Sequence, residues 1–185
     1  MIKSALQSSL TNDVKYTSMS VGNLPSSEYL ITSTVLSGTA TEVIFDVTGL
    51  GSQFRHLKLV SSVQSSGSDG FNLQFNGVTS ASYAVHVLFG NNSQVLSAAA
   101  ASTSFIGLGI MGDDTNYYSA SEADILDPFS PNKNTTVRAL VGARSVVQLR
   151  SGFWNNTAAV TSLRVFPNSG NFNINSRFSL YGVTA

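Results

Sequence analysis

Apolar and polar side chains alternate at period two along most of the chain. Phe71-Asn72-Leu73-Gln74-Phe75-Asn76 is the plainest instance, and Tyr83, Val85, Val87 and Phe89 repeat it. Such alternation describes a strand with one buried face. Tyr29 to Leu36 and Glu42 to Val47 concentrate Ile, Val, Thr and Phe on either side of a Ser37-Gly38-Thr39 turn. Phe54 to Val63 sets Leu57 and Leu59 against His56 and Lys58 on the opposite face. Ser104 to Ile110, Thr135 to Val141, Ser145 to Arg150, Val160 to Phe166 and Arg177 to Val183 complete the series. Roughly ten strands result, spaced by about 8–15 residues with turn residues between them, which is the signature of a sandwich or barrel. Ala98 to Ala101 favours helix by propensity, but its short length and serine neighbours predict a loop or a single turn. The expected fold is all-β, a jelly-roll-like antiparallel β-sandwich in which Greek keys close two sheets over one core. Phe71, Phe75, Phe89, Phe105, Phe166, Phe178 and Tyr181 are the aromatic residues expected to fill it.

Ahead of the strands, Ile2, Leu6 and Leu10 recur every four residues, the spacing of a short amphipathic helix. A helix of that length is marginal alone and needs a partner surface; a frayed terminus is the alternative. A polar stretch from Ser18 to Ser27, with Gly22 and Pro25, sets this segment apart. The expected division is an N-terminal arm over residues 1–27 and a β-sandwich domain over residues 28–185. The first ten residues lack the unbroken apolar core of a secretory signal, and no stretch approaches the roughly 18 apolar residues of a spanning helix. Synthesis in a cytoplasm is therefore expected.

Composition narrows the partners. The 185 residues fit one domain, and 42% of them are hydrophobic, enough for a packed core. Charged residues reach only 11%, against roughly 25% in ordinary soluble domains. Ten basic and ten acidic side chains cancel. That balance argues against a nucleic-acid partner and against a polybasic membrane anchor. Ser, Thr and Asn together supply 60 residues in place of the missing charges. The absence of cysteine excludes disulfides, thiolate metal sites and a cysteine nucleophile.

Motifs with chemical overtones fail on context. Gly107-Leu108-Gly109-Ile110-Met111-Gly112 matches a dinucleotide fingerprint, but no helix follows to meet a pyrophosphate, and Asp113-Asp114 would repel one. Ser130-Pro131-Asn132-Lys133 has the S-x-x-K spacing without its companion motifs. Glu122, Asp124 and Asp127, with Asp113 and Asp114 nearby, form the main acidic concentration and read as a solvated loop, with calcium binding as the alternative. His56 and His86 read as hydrogen-bonding strand residues rather than a metal pair. Trp154, in Phe153-Trp154-Asn155-Asn156, is either a buried ring at a strand edge or a ligand or subunit contact; Tyr117 and Tyr118 are further candidates for such contacts. No catalytic residue, cofactor site or metal site is assigned, and the chain reads as a non-enzyme.

The run Ser151-Gly152-Phe153-Trp154-Asn155-Asn156-Thr157-Ala158-Ala159-Val160-Thr161-Ser162-Leu163, with Ser169-Gly170-Asn171-Phe172 and Ser176-Arg177-Phe178-Ser179-Leu180-Tyr181-Gly182-Val183, resembles small structural proteins of tailed bacteriophages of aquatic bacteria. Phe54-Arg55-His56-Leu57-Lys58-Leu59, Phe71 to Gly77, Tyr83-Ala84-Val85-His86, Asp124 to Asp127 and Lys133 to Arg138 fit the same pattern, so the resemblance covers roughly residues 42–183. It implies a virion component, made in the host bacterial cytoplasm, with a jelly-roll-like sandwich and no catalytic residues. The expected role is a capsid decoration (cement) protein that binds the major capsid protein or another virion protein as a homo-oligomer. Threefold symmetry would be natural on an icosahedral lattice. Ile2, Leu6 and Leu10 would be its anchor. A glycan-binding, receptor-recognising module of a tail or head fibre is the alternative.

Overall fold

The structure is a computed structural model and describes residues 28–67, 70–111 and 117–184. The arm predicted over residues 1–27, including Ile2, Leu6 and Leu10, lies outside the described residues. Twelve strands make up the fold: β1 (Glu28–Val35), β2 (Val43–Asp46), β3 (His56–Val63), β4 (Gly70–Phe75), β5 (Tyr83–Asn91), β6 (Val95–Thr103), β7 (Ile106–Ile110), β8 (Ser119–Leu126), β9 (Thr135–Ala143), β10 (Val146–Trp154), β11 (Ser162–Pro167) and β12 (Arg177–Val183). Among the described residues no helix is long and apolar enough to cross a membrane.

The strands form two antiparallel sheets, one of eight in the order β1-β12-β3-β8-β9-β10-β5-β6 and one of four in the order β2-β11-β4-β7. Set aside β5, β6, β9 and β10, and the remaining strands fall into sheets of first-eighth-third-sixth and second-seventh-fourth-fifth. That is the jelly-roll topology, as the sequence led one to expect. The two hairpins set aside are insertions, one following β4 and one following β8, and both add to the same side of the larger sheet.

Two strands depart from the sequence reading. β6, expected as a loop or turn, is a nine-residue strand despite four consecutive alanines, because pairing with β5 overrides weak local propensity. β8, read as a solvated acidic loop, is also a strand: Ser119, Ser121, Ala123 and Ile125 are buried, and Glu122 and Asp124 point outward between them. Its inward residues are small, so the alternation lacked the usual large apolar signal.

The core lies where the four-stranded sheet covers the larger one. Val43, Phe45, Leu163, Val165, Leu73 and Phe75 face Leu57, Leu59, Ala123, Val137, Phe178 and Leu180. Of the aromatic residues expected there, Phe71, Phe75 and Phe178 are buried. Phe89, Phe105, Phe166 and Tyr181 are only half-buried; Phe45, Tyr83, Trp154 and Phe172 complete the aromatic core instead. Trp154 stacks on Tyr83 with ring centroids 6.3 Å apart and tilts against Phe75 at 5.6 Å. The Tyr83 hydroxyl accepts from the Phe75 amide at 3.0 Å and donates to the Val78 carbonyl at 3.1 Å. Burial pushes that hydroxyl's pKa above its ordinary value. After β4 the chain turns through Asn76 and Gly77, both at positive φ, and the Asn76 side-chain oxygen accepts from the Thr161 and Ser162 amides, tying this turn to the start of β11.

Trp154→Ala should lower the unfolding free energy by about 3–5 kcal/mol in urea titrations followed by circular dichroism. As the sole tryptophan, Trp154 should emit at short wavelength and resist acrylamide in the native protein; red, readily quenched emission would contradict its burial.

Candidate functional site

The inserted strands carry the larger sheet past the edge of the smaller one, and the outward face of this extension is unusual. Strand register aligns side chains there in rungs. One rung runs Val60, Glu122, Leu140, Leu149, Leu88 and Ser97 across β3, β8, β9, β10, β5 and β6. The adjacent rung runs Lys58, Asp124, Arg138, Ser151, His86 and Ala99. On the other side, Val147 and Val95 flank Gly90. Leu140, Leu149 and Val147 are each 56% exposed and Leu88 47%, so three leucines from three adjacent strands lie side by side in water. Together with the polar rung they line a trough of about 830 Å³. Scattered exposed apolar residues are ordinary, but a contiguous group bordered by polar residues marks an interaction surface.

The polar rung is electrically closed. Arg138 Nε donates to Asp124 at 2.8 Å, and Lys58 bridges Glu122 at 3.0 Å and Glu28. The bond to Glu28, aided by Glu122, raises the Lys58 pKa above its ordinary value against the opposing effect of burial. Both carboxylates of β8 are therefore paired on the sheet, which corrects their placement in a solvated loop. Asp113 and Asp114 lie outside the described residues. Among the described residues, no three His, Asp or Glu side chains are grouped to hold a metal ion.

Beneath this face one strand, β10, carries polar residues inward. On β10 the inward residues are Gln148, Arg150, Gly152 and Trp154, and Arg150 Nε donates to Gln148 Oε1 at 2.7 Å. Burial lowers the Arg150 pKa. The guanidinium lies over Gly107 of β7, in space a Cβ there would fill. This glycine of the apparent dinucleotide fingerprint thus serves strand packing.

The other residues singled out by sequence are dispersed. Trp154 is 1% exposed, so it is not available as a surface ligand contact. Tyr117 and Tyr118 are exposed just before β8; Tyr118 donates its hydroxyl to the Ile174 carbonyl at 2.9 Å, and the Arg144 guanidinium sits 4.7 Å from the Tyr117 ring centre. His86 is exposed at the trough, whereas His56, four strands away, accepts the Asp127 amide at Nδ1. The leucines of the trough were not singled out, although the opposed phases of Leu149 and Trp154 on one strand carried a signal: if one is inside, the other is outside.

Asp127 is a separate charged knot, bonded to Lys133 and to Arg55. The Lys133 bond, with help from Arg55, holds its carboxyl below the ordinary value of 3.8 against the opposing effect of burial. Its stabilising contribution is complete above the ordinary carboxylate range and is lost as pH falls through the lowered value. Asp127→Asn should therefore melt below wild type at neutral pH, with the gap in Tm closing as pH falls below the ordinary carboxylate value; a constant gap across an acid titration would refute the linkage.

No family model matches the chain, and no curated protein sequence matches it. Among solved structures, a match is a GH43 glycoside hydrolase engineered at its active site for both endo-xylanase and exo-arabinofuranosidase activity, at 12% identity and a TM-score of 0.31. The alignment covers 69% of this chain and 29% of that chain. A likeness that slight bears on neither fold nor function.

Proposed function

We propose that the chain is a structural component of a bacteriophage particle, a capsid decoration protein that docks on the shell and braces neighbouring subunits. The observation that carries this reading is the row Leu88, Leu149 and Leu140, exposed on a hydrogen-bonded sheet and bordered by paired charges. An apolar centre with a polar rim is the anatomy of a protein interface. Because Asp124 already holds Arg138 and Glu122 already holds Lys58, a partner can cover the trough without stripping water from an isolated charge. The jelly roll recurs in viral capsid and lectin domains, so the fold is compatible with the role but does not by itself argue for it. The resemblance to phage structural proteins supplies the particle; the trough supplies the contact.

The reading makes the protein a virion component formed in the host cytoplasm, with the major capsid protein or another virion protein as partner and no part for nucleic acid or membrane. It also makes it a non-enzyme. Glu122 and Asp124, the two carboxylates of β8, sit on one strand and are held by cations. A glycan-binding tail or head-fibre module is the second reading, favoured by the exposed rings of Tyr117 and Tyr118. It ranks lower because the trough floor is leucine rather than aromatic ring, and stacking is what an aromatic ring offers a sugar.

Leu140→Asp/Leu149→Asp should fold normally, since both side chains are exposed, yet bind purified capsids at least about tenfold more weakly than wild type, a loss of about 1.4 kcal/mol. Unchanged binding, or no binding by wild type, would defeat the docking surface; binding to a glycan array instead would favour the second reading. Removal of residues 1–20 separately tests the arm: a folded protein that no longer binds capsids is expected.

A further inference from the structure

Among the described residues, four strands lie at sheet edges: β1 and β6 in the larger sheet, β2 and β7 in the smaller. An open edge presents unpaired N–H and C=O groups and invites another strand unless it is short, bulged or charged. Three of the four are blunted in these ways. β2 is four residues long, ends at Asp46 and follows Glu42. β7 has five residues, and its register with β4 slips at Phe71/Asn72. β1 begins at Glu28 and slips against β12 between Leu30 and Thr32.

β6 is neither short nor charged, and its own bulge against β5 lies only beyond Ala100. Val95–Thr103 spans nine residues without charge or proline, and its register with β5 is unbroken from Val95 to Ala100. Eight of the nine residues are exposed, because the smaller sheet does not reach this far. The hairpin is apolar on both faces: Leu88 and Val95 on the outer, Val87, Phe89 and Leu96 on the inner.

We infer that β6 pairs with β6 of a second copy, antiparallel about a two-fold axis, doubling the larger sheet into one continuous layer. The identity of the occupant follows from symmetry. A two-fold contact sets residues near the axis against their own copies, so any charge there would face itself. β6 carries none. With the axis at Ala99, Ala98 meets Ala100, small side chains that let the backbones approach on both faces ahead of the bulge beyond Ala100. A different partner would be selected by pockets or by complementary charge, and an alanine-rich neutral edge offers neither. Because each copy uses its one β6 edge, the pairing closes at two copies and does not propagate into a fibre. This inference does not depend on the proposed virion role.

Sedimentation of the full chain across the micromolar range tests it. A dimer that dissociates on dilution is expected, with β6 amides exchanging slowly in concentrated samples and quickly in dilute ones. Ala99→Lys should weaken self-association at least about tenfold by placing like charges opposite each other. Mixing Ala99→Lys with Ala99→Glu should restore a heterodimer, which only a register that brings position 99 to its own copy predicts. A monomer at every concentration, a trimer, or β6 amide exchange independent of concentration would overturn the inference. So would a dimer lost in Leu140→Asp/Leu149→Asp but retained in Ala99→Lys.

Discussion

A sheet of eight strands cannot be covered by a sheet of four, and that mismatch of widths governs the rest of this molecule. Where the two overlap, every strand buries one face and the core is ordinary. Past the edge of β7, at β6, the larger sheet is exposed on both faces among the described residues. The change begins at β10, still beneath β7, where the apolar phase of the alternation moves outward. On β9 the buried Val137, Ala139 and Val141 still point toward the small sheet, while on β10 the inward positions become Gln148 and Arg150 and the outward ones Val147 and Leu149.

The ion pairs on the outer face belong to the same arrangement. Lys58 on β3 holds Glu28 of β1 and Glu122 of β8, and Arg138 on β9 holds Asp124 of β8, so the few charges of a sparsely charged chain are spent as cross-strand links. Exposed pairs of this kind contribute only about 0–1 kcal/mol each to stability. Their larger effect is on surface chemistry: they leave the neighbouring leucines bordered by groups whose charge is already answered.

Much of the architecture was legible in the residues. Strands with large apolar residues at every second position, such as Phe71, Leu73 and Phe75, announced themselves, and the jelly-roll-like sandwich followed from their number and spacing. β6 and β8 were hidden because alanine and serine pack as well in strands as in loops and carry little periodic contrast. The trough was harder still. Alternation reveals that Leu149 and Arg150 face opposite ways but not which way is in, and the intuitive assignment is the wrong one here. Trp154 settles the phase, since its ring shares the inward side with Arg150, yet that inference needs the knowledge that the tryptophan is buried.

The two inserted hairpins also depend on each other in one direction. β5 joins the sheet only through β10, and β10 only through β9, so the hairpin that comes earlier in the chain rests on the one that comes later. β9 and β10 extend the sandwich directly from β8 and need no other inserted strand beside them to do so. β5 and β6, by contrast, reach the larger sheet through β10. The hairpin that a ribosome delivers first therefore joins this sheet only once the later one is in place beside β8.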